Sequence, residues 1–430
     1  MENHINMEFE TISRNRSAEN FFLMKNSDKS MAIGICLKAR TVDGEALRIA
    51  AGKALERFPL IGTAVAVRDG SFYYAKNTRP IVVAEGDVPP VLFSEKTNYH
   101  LVCILYKENR IYIPMHHSLS DLTGLNRFIE TMLYYYFEIT EGITLPAEGA
   151  SLLDGREHPE DEADPFEKPY EVSGETGEEA LGGPNTGGLV LPENGSDAEY
   201  SWIHMDMDAE AFLRFAKSEG TTPLIAATLL MIQAVREELS DSTHEVVVKL
   251  PVDMRPQLGV METLRNCVVT KPVKYSPESM DGLSFREQAA ALREQVKKAT
   301  TEEVIRKTAN EFMGYMHAMD EAGSIEGKKE LLNRFRKPDA TAFLMSYARI
   351  PWSETIQNRM REMHALDLEP YLKINMTALK ESFCLDFIQS FPTTRYVEAL
   401  EKQLNERDIH VSWERRKLVL ADMDLSFLHQ

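Results

Sequence analysis

The feature that most constrains this chain is a break near its middle. Residues 151–200 carry 14 Asp and Glu against only Arg156 and Lys168, so this stretch holds −12 of the net charge of −19. It also contains the string GGPNTGG at 182–188. Few apolar residues, like charge and clustered glycine predict a flexible surface connection with no chemistry of its own. The chain therefore divides into an N-terminal lobe (1–150), an acidic crossover (151–199) and a C-terminal lobe (200–430). At about 150 residues per domain, 430 residues accommodate two large units. A 43% hydrophobic content supplies a core for each.

Both flanking parts alternate strand and helix patterns, which predicts an α/β class. In the first part SMAIGICLKA (30–39) reads as a strand and GEALRIAAGKALERF (44–58) as a helix ended by Pro59. Residues 60–76 read as a hairpin turning at Asp69-Gly70, residues 100–107 and 110–117 as two more strands, and 122–137 as a helix. In the second part 200–207 and 244–256 are strand-like, and 209–220 and 224–239 are helical, the latter opened by Thr222-Pro223. A long polar helical region over about 284–335 precedes strands at 343–350, 372–381 and 382–391 and a helix at 397–408.

Several function classes are excluded. A net charge of −19 opposes nucleic acid, whose binders need a basic face. No apolar run approaches the ~18–20 residues of a membrane span, and MENHINMEFE is too polar for a signal peptide. The four cysteines (Cys36, Cys103, Cys267, Cys384) are far apart, so no metal knuckle or redox pair arises from local spacing, and a reducing cytoplasm is expected. Cys103 and Cys267 sit in apolar strand runs and read as core packing.

The string Pro114-Met115-His116-His117-Ser118-Leu119-Ser120-Asp121 is the most informative. Neighbouring side chains on a strand point to opposite faces, so one imidazole can enter a cleft as a general base while the other packs. Two ordinary histidines ending a strand remain the alternative. No metal is expected here, since adjacent ligands on a strand chelate poorly and no third is near. Asp121, at the start of a helix, can anchor the loop through backbone N–H groups or an arginine. Pro251-Val252-Asp253-Met254-Arg255-Pro256, followed by Arg265-Asn266, suggests a fixed ion pair; a solvated loop with a surface Arg255 is the alternative.

Together these strings resemble the CoA-dependent acyltransferase superfamily of chloramphenicol acetyltransferase, condensation domains and alcohol O-acetyltransferases. GEALRIAAGKALERFPLIGTAV resembles the helix and turn that precede its strand and HHxxxD; TTPLIAATLLMIQAV, PVDMRP, Asn266 and FLMSYARI follow in the family order. The resemblance implies two similar α/β lobes, built of mixed sheets with packed helices, meeting at an active-site tunnel. It implies His117 as the general base that deprotonates an alcohol or amine for attack on a thioester. His116, Asp121 and Arg255 are then supporting residues, with Asp121 pairing with Arg255. Ser346 and Asn266 are implied for the oxyanion or the pocket. No tightly bound cofactor is expected; acyl-CoA, or a phosphopantetheine-linked acyl group on a separate carrier protein, is the implied substrate.

The sequence departs from the family pattern twice. Leu122 follows Asp121 where the family has glycine, the nearest being Gly124, and Tyr347 and Arg349 stand at the Asn and Gly positions of an SNxG strand. The Leu181-Gly182-Gly183-Pro184-Asn185 string resembles the entry to a carrier-protein site, but Asn185 replaces the serine, so it reads as loop. The expected activity is acyl transfer of the alcohol O-acetyltransferase kind. A free-standing condensation-type protein and a catalytically silent binding or scaffold protein are the alternatives.

Overall fold

A computed structural model describes residues 9–172, 187–195, 199–240, 243–335, 340–380 and 382–429. The Leu181–Asn185 string and most of MENHINMEFE fall outside these residues. In the first part the strands are β1 (Thr11–Arg14), β2 (Met31–Leu37), β3 (Ala64–Arg68), β4 (Ser71–Ala75), β5 (Val83–Glu85), β6 (Ile104–Lys107) and β7 (Arg110–Met115). In the second part they are β8 (Ser201–Met207), β9 (Val246–Asp253), β10 (Val268–Tyr275), β11 (Thr341–Arg349), β12 (Met360–Leu366), β13 (Leu372–Ala378), β14 (Phe383–Gln389) and β15 (Val411–Arg416). They form a three-stranded sheet β1-β4-β3, a five-stranded sheet β12-β2-β7-β6-β5 and a seven-stranded sheet β10-β9-β11-β13-β14-β8-β15. The expected two-lobed α/β fold is the one observed.

Local chemistry accounts for the main elements. Every residue of β2 (MAIGICL) is buried, as befits a strand near the centre of its sheet. Helix α1 (Gly44–Arg57) starts where Asp43 accepts from the Glu45 and Ala46 N–H groups. Helix α2 (Leu122–Glu141) is capped by Asp121 and ended by Gly142 in the left-handed region. The β3–β4 hairpin turns at Asp69 (φ 50°) and Gly70 (φ 69°), the paired positive angles of a tight two-residue turn. Thr222 caps the Pro223–Leu239 helix, whose Pro223 needs no N–H at that position. Pro272 lies in β10, an edge strand, where a missing donor is tolerated.

The chain does not keep its two halves apart in space. Strand β12 comes from the second part but pairs antiparallel with β2, from Met360↔Leu37 to Leu366↔Ala32, and so completes the sheet of the first lobe. Its outer edge faces the seven-stranded sheet, and two side chains of β13 satisfy its carbonyls. Asn375 Nδ2 donates to Ala365 O (2.5 Å) and Thr377 Oγ1 to Met363 O (2.7 Å). The C-terminal residues return as well: Ala421, Met423 and Leu428 are buried in the core of the first lobe.

The described part of the acidic crossover is tied down more firmly than its composition implies. Asp161, 3% exposed, is ion-paired with Arg57 of α1 and, at 2.7 Å, with Arg127 of α2. Phe166 is buried beside Met254 and Met316, and Leu189 and Leu191 join the core of the second lobe. A mean over charge and glycine overlooks such single anchors, each of which offsets the ordering entropy of its neighbours.

Candidate active site

The His116–Asp121 loop lies where the lobes meet. Strand β7 ends at Met115, and the two histidines leave it in opposite senses. His116 is buried (2% exposed) and His117 is partly exposed. Two consecutive phenylalanines on the short Glu19–Phe22 helix cover them. Phe22 stacks on His116 with centroids 4.6 Å apart, and Phe21 stacks on His117 at 4.5 Å with the planes within 7°. This aromatic lid fixes the plane of each imidazole.

His116 has a defined tautomer. Its Nε2 faces the Ser27 carbonyl at 3.2 Å, which can only accept, so Nε2 carries the proton; Nδ1 then accepts from the Ser118 hydroxyl (2.7 Å) and N–H (3.3 Å). Burial pushes this ring down to about 3, since the Ser27 carbonyl offsets little of the desolvation and His117 adds repulsion. The neutral ring is the folded form, so the unfolded chain binds the proton first as pH falls. The stability this site confers is complete above about pH 6.5 and declines by about 1.4 kcal/mol per pH unit toward pH 3. His116→Gln is therefore expected to flatten the acid limb of the stability profile. Urea midpoints of the two proteins should converge between pH 7 and pH 4; parallel curves would contradict this assignment.

Asp121 and Arg255 are brought together. Arg255 Nη2 donates to Asp121 Oδ1 at 2.9 Å, with both side chains almost fully buried. Asp121 Oδ1 also accepts from the Gly124 N–H (2.9 Å) and Oδ2 from the Cys267 N–H (2.8 Å). Arg255 places its remaining donors on Thr263 O (3.0 Å), Arg265 O (2.7 Å) and Asp253 Oδ1 (3.0 Å). One carboxylate thus holds the start of α2, the Arg255 side chain and the backbone before β10. Desolvation opposes the guanidinium charge, but Asp121 and then Asp253 outweigh it and raise Arg255 further.

Leu122 occupies the first turn of α2 without a positive φ, so the loop has no need of glycine there. The need lies at Gly124: a Cβ on it would overlap Ser120 Oγ and come within 2.5 Å of the Leu264 carbonyl. Ser120 Oγ donates to that same carbonyl at 2.5 Å. It is at Gly124 that the second lobe's backbone docks closely on α2.

Ser346 sits on β11, partly buried and opposite Asn375 of β13. Tyr347 packs near Phe383. Asn266 is partly buried, and its Oδ1 accepts from the Val268 N–H at 2.9 Å. Among the described residues neither Ser346 nor Asn266 hydrogen-bonds to the His117 loop.

Two neighbours of His117 escaped the sequence reading. One is Phe21. The other is Asp367, just beyond β12, which is ion-paired with Lys373 and meets Asn375 Nδ2 at 3.4 Å. Burial works to raise its carboxyl; Lys373, then the nearby His117 and Asn375, hold it below the ordinary range. Asp367 is thus within electrostatic reach of the His117 ring. His117 Nδ1 is buried and makes no hydrogen bond.

No protein-family model matches the chain, and no curated protein matches it in sequence. Solved structures do match. The chain is similar to F. graminearum TRI101, crystallised with coenzyme A and T-2 mycotoxin, at a TM-score of 0.62 and 11% identity over 94% of this chain and 99% of that one. Polyketide synthase associated protein 5 from Mycobacterium tuberculosis gives 0.59 and 13% identity over 92% and 98%. The first condensation domain of the CDA synthetase gives 0.59 and 13% over 94% and 96%. Trichothecene 15-O-acetyltransferase TRI3 from Fusarium sporotrichioides matches at 0.60. The architecture is therefore one that this chain shares, along nearly its whole length, with solved acetyltransferase and condensation-domain structures.

Proposed function

We propose that the protein transfers an acyl group from acyl-CoA to a hydroxyl- or amine-bearing small molecule, with His117 as general base. The observation that carries this reading is the division of labour in the His-His pair. His116 is locked neutral in the core, whereas His117 is partly exposed on a loop pinned by the Asp121–Arg255 pair. His117 takes the proton of the acceptor as its oxygen or nitrogen attacks the thioester carbonyl. The tetrahedral intermediate collapses, the C–S bond breaks, and the imidazolium returns the proton to the departing thiolate. Asp367 lies where its carboxylate favours the transient imidazolium.

The condensation-domain neighbours favour a second version, in which the thioester is carried on a separate protein. A thiol-release assay tests both. The protein is offered a panel of acyl-CoAs, and separately acyl-phosphopantetheine carriers, with and without mixed acceptor alcohols and amines. Acceptor-dependent release from acyl-CoA is the expected result. Release from carriers alone selects the second version, and no acceptor-dependent release from either rejects acyl transfer.

A further inference from the structure

The seam between the lobes carries a second cluster of titratable side chains, which acyl transfer leaves unused. Strand β8 presents Trp202, His204 and Asp206 at the two-residue spacing of one strand face. In register across the ladder, Asp386 of β14 lies opposite His204. Strand β12, in the other lobe's sheet, brings Glu362 and His364 to the same place. Asp386, fully buried, receives His204 Nδ1 on Oδ1 and His364 Nδ1 on Oδ2, each at 2.9 Å, and Trp202 Nε1 on Oδ1 at 2.8 Å. A carboxylate only accepts, so both histidines carry a proton on Nδ1 and turn Nε2 toward other carboxylates. His204 Nε2 is 3.2 Å from Asp206 Oδ2, and His364 Nε2 is 3.1 Å from Glu362 Oε2.

Three observations point to a cation. The far nitrogen of His204 is held by a buried carboxylate while its near nitrogen faces further oxygens, which is how metal-binding imidazoles are oriented. That near nitrogen, on a side chain 1% exposed, makes no aligned hydrogen bond despite the nearby Asp206. Ligand-capable atoms of His204, Asp206 and Glu362 all lie within 4.8 Å of one another. Asp206, Glu362 and Asp386 face one guanidinium, Arg416, 3.0 Å from Glu362. Asp206 is half exposed and opens an entry path.

We propose that this seam binds one divalent transition metal of the zinc class through His204 Nε2, Asp206 and Glu362, with Asp386 as the outer carboxylate that orients the imidazole. An imidazole among the donors suits zinc and its late first-row neighbours better than calcium or magnesium, which take oxygen ligands. Because β8 and β12 belong to different sheets, the ion clamps one lobe to the other. The rival occupant is protons: without a cation, desolvation is outweighed by Asp206 and Asp386 and His204 is raised to about 9.

The test uses the tag-free full chain, stripped with chelator and titrated with Zn²⁺ and with Co²⁺ by calorimetry. Expected are one ion per chain, a melting temperature raised by metal and returned by chelator, and a visible Co²⁺ absorption band. Asp206→Asn, on a half-exposed side chain, should weaken binding at least ~10-fold while the chelated variant still unfolds cooperatively. Glu362→Gln should weaken it similarly; if that variant fails to fold because Arg416 is stranded, Asp206→Asn still decides. No saturable uptake by the wild type, or uptake unchanged in the folded variants, would overturn the proposal.

Discussion

Replacing His117 by alanine is expected to lower turnover by roughly 10²–10⁴ while changing acyl-CoA affinity little. The ring is partly exposed and contributes a stacking contact with Phe21, so its loss should cost far less stability than the loss of a fully buried side chain. What disappears is the only imidazole of the pair free to act. His116 cannot substitute, because both of its nitrogens are committed and burial keeps it neutral. Steady-state kinetics with a calorimetric titration of acyl-CoA separate the two effects. Turnover within a few-fold of wild type would remove His117 from the mechanism.

The second large effect is on stability. Truncating either member of a buried ion pair strands the other charge, at a cost of about 3–5 kcal/mol. Asp121→Ala frees not only Arg255 but also the N–H groups of Gly124 and Cys267. Arg255→Ala leaves two buried carbonyls, Thr263 and Arg265, without their donor. Asp253 already accepts from Arg255 and can hold part of its charge when Asp121 is gone. Arg255→Ala is therefore expected to be the more damaging single change. A double-mutant cycle read by urea denaturation should give a coupling above about 1 kcal/mol. Additive losses would mean that the pair does not act as one tie.

Elements with strong local signals were legible: the Thr222-Pro223 helix start, the Asp69-Gly70 turn and the HHxxxD strand end all lie where the sequence puts them. Strand β12 was not. MREMHAL mixes charges with apolar residues, because Glu362 and His364 are satisfied by the other lobe rather than by water. Missing β12 also hid Asp367 and the His204–His364–Asp386 cluster, whose members come from three separate strands. Asp161 was averaged into an acidic run, although the two arginines that bury it lie 104 and 34 residues away. Position 122 needs no glycine, and the close packing of the second lobe falls at Gly124 against Leu264. In each case the decisive partner is distant in sequence, so no window along the chain contains it.

The proposed reaction is direct transfer from thioester to acceptor, with a histidine base and no acylated protein. The chain's thiols are poorly suited to an acyl intermediate: all four cysteines are buried, desolvation pushes Cys103 up to about 12, and it raises Cys36, Cys267 and Cys384 as well. The most direct measurement is mass spectrometry of both protein and acceptor, quenched during a single turnover with limiting acyl-CoA. One acyl group is expected on the acceptor for each thiol released, with the protein's mass unchanged throughout. An acylated protein that passes its group to the acceptor, or thiol release that leaves the acceptor unmodified, would contradict direct transfer.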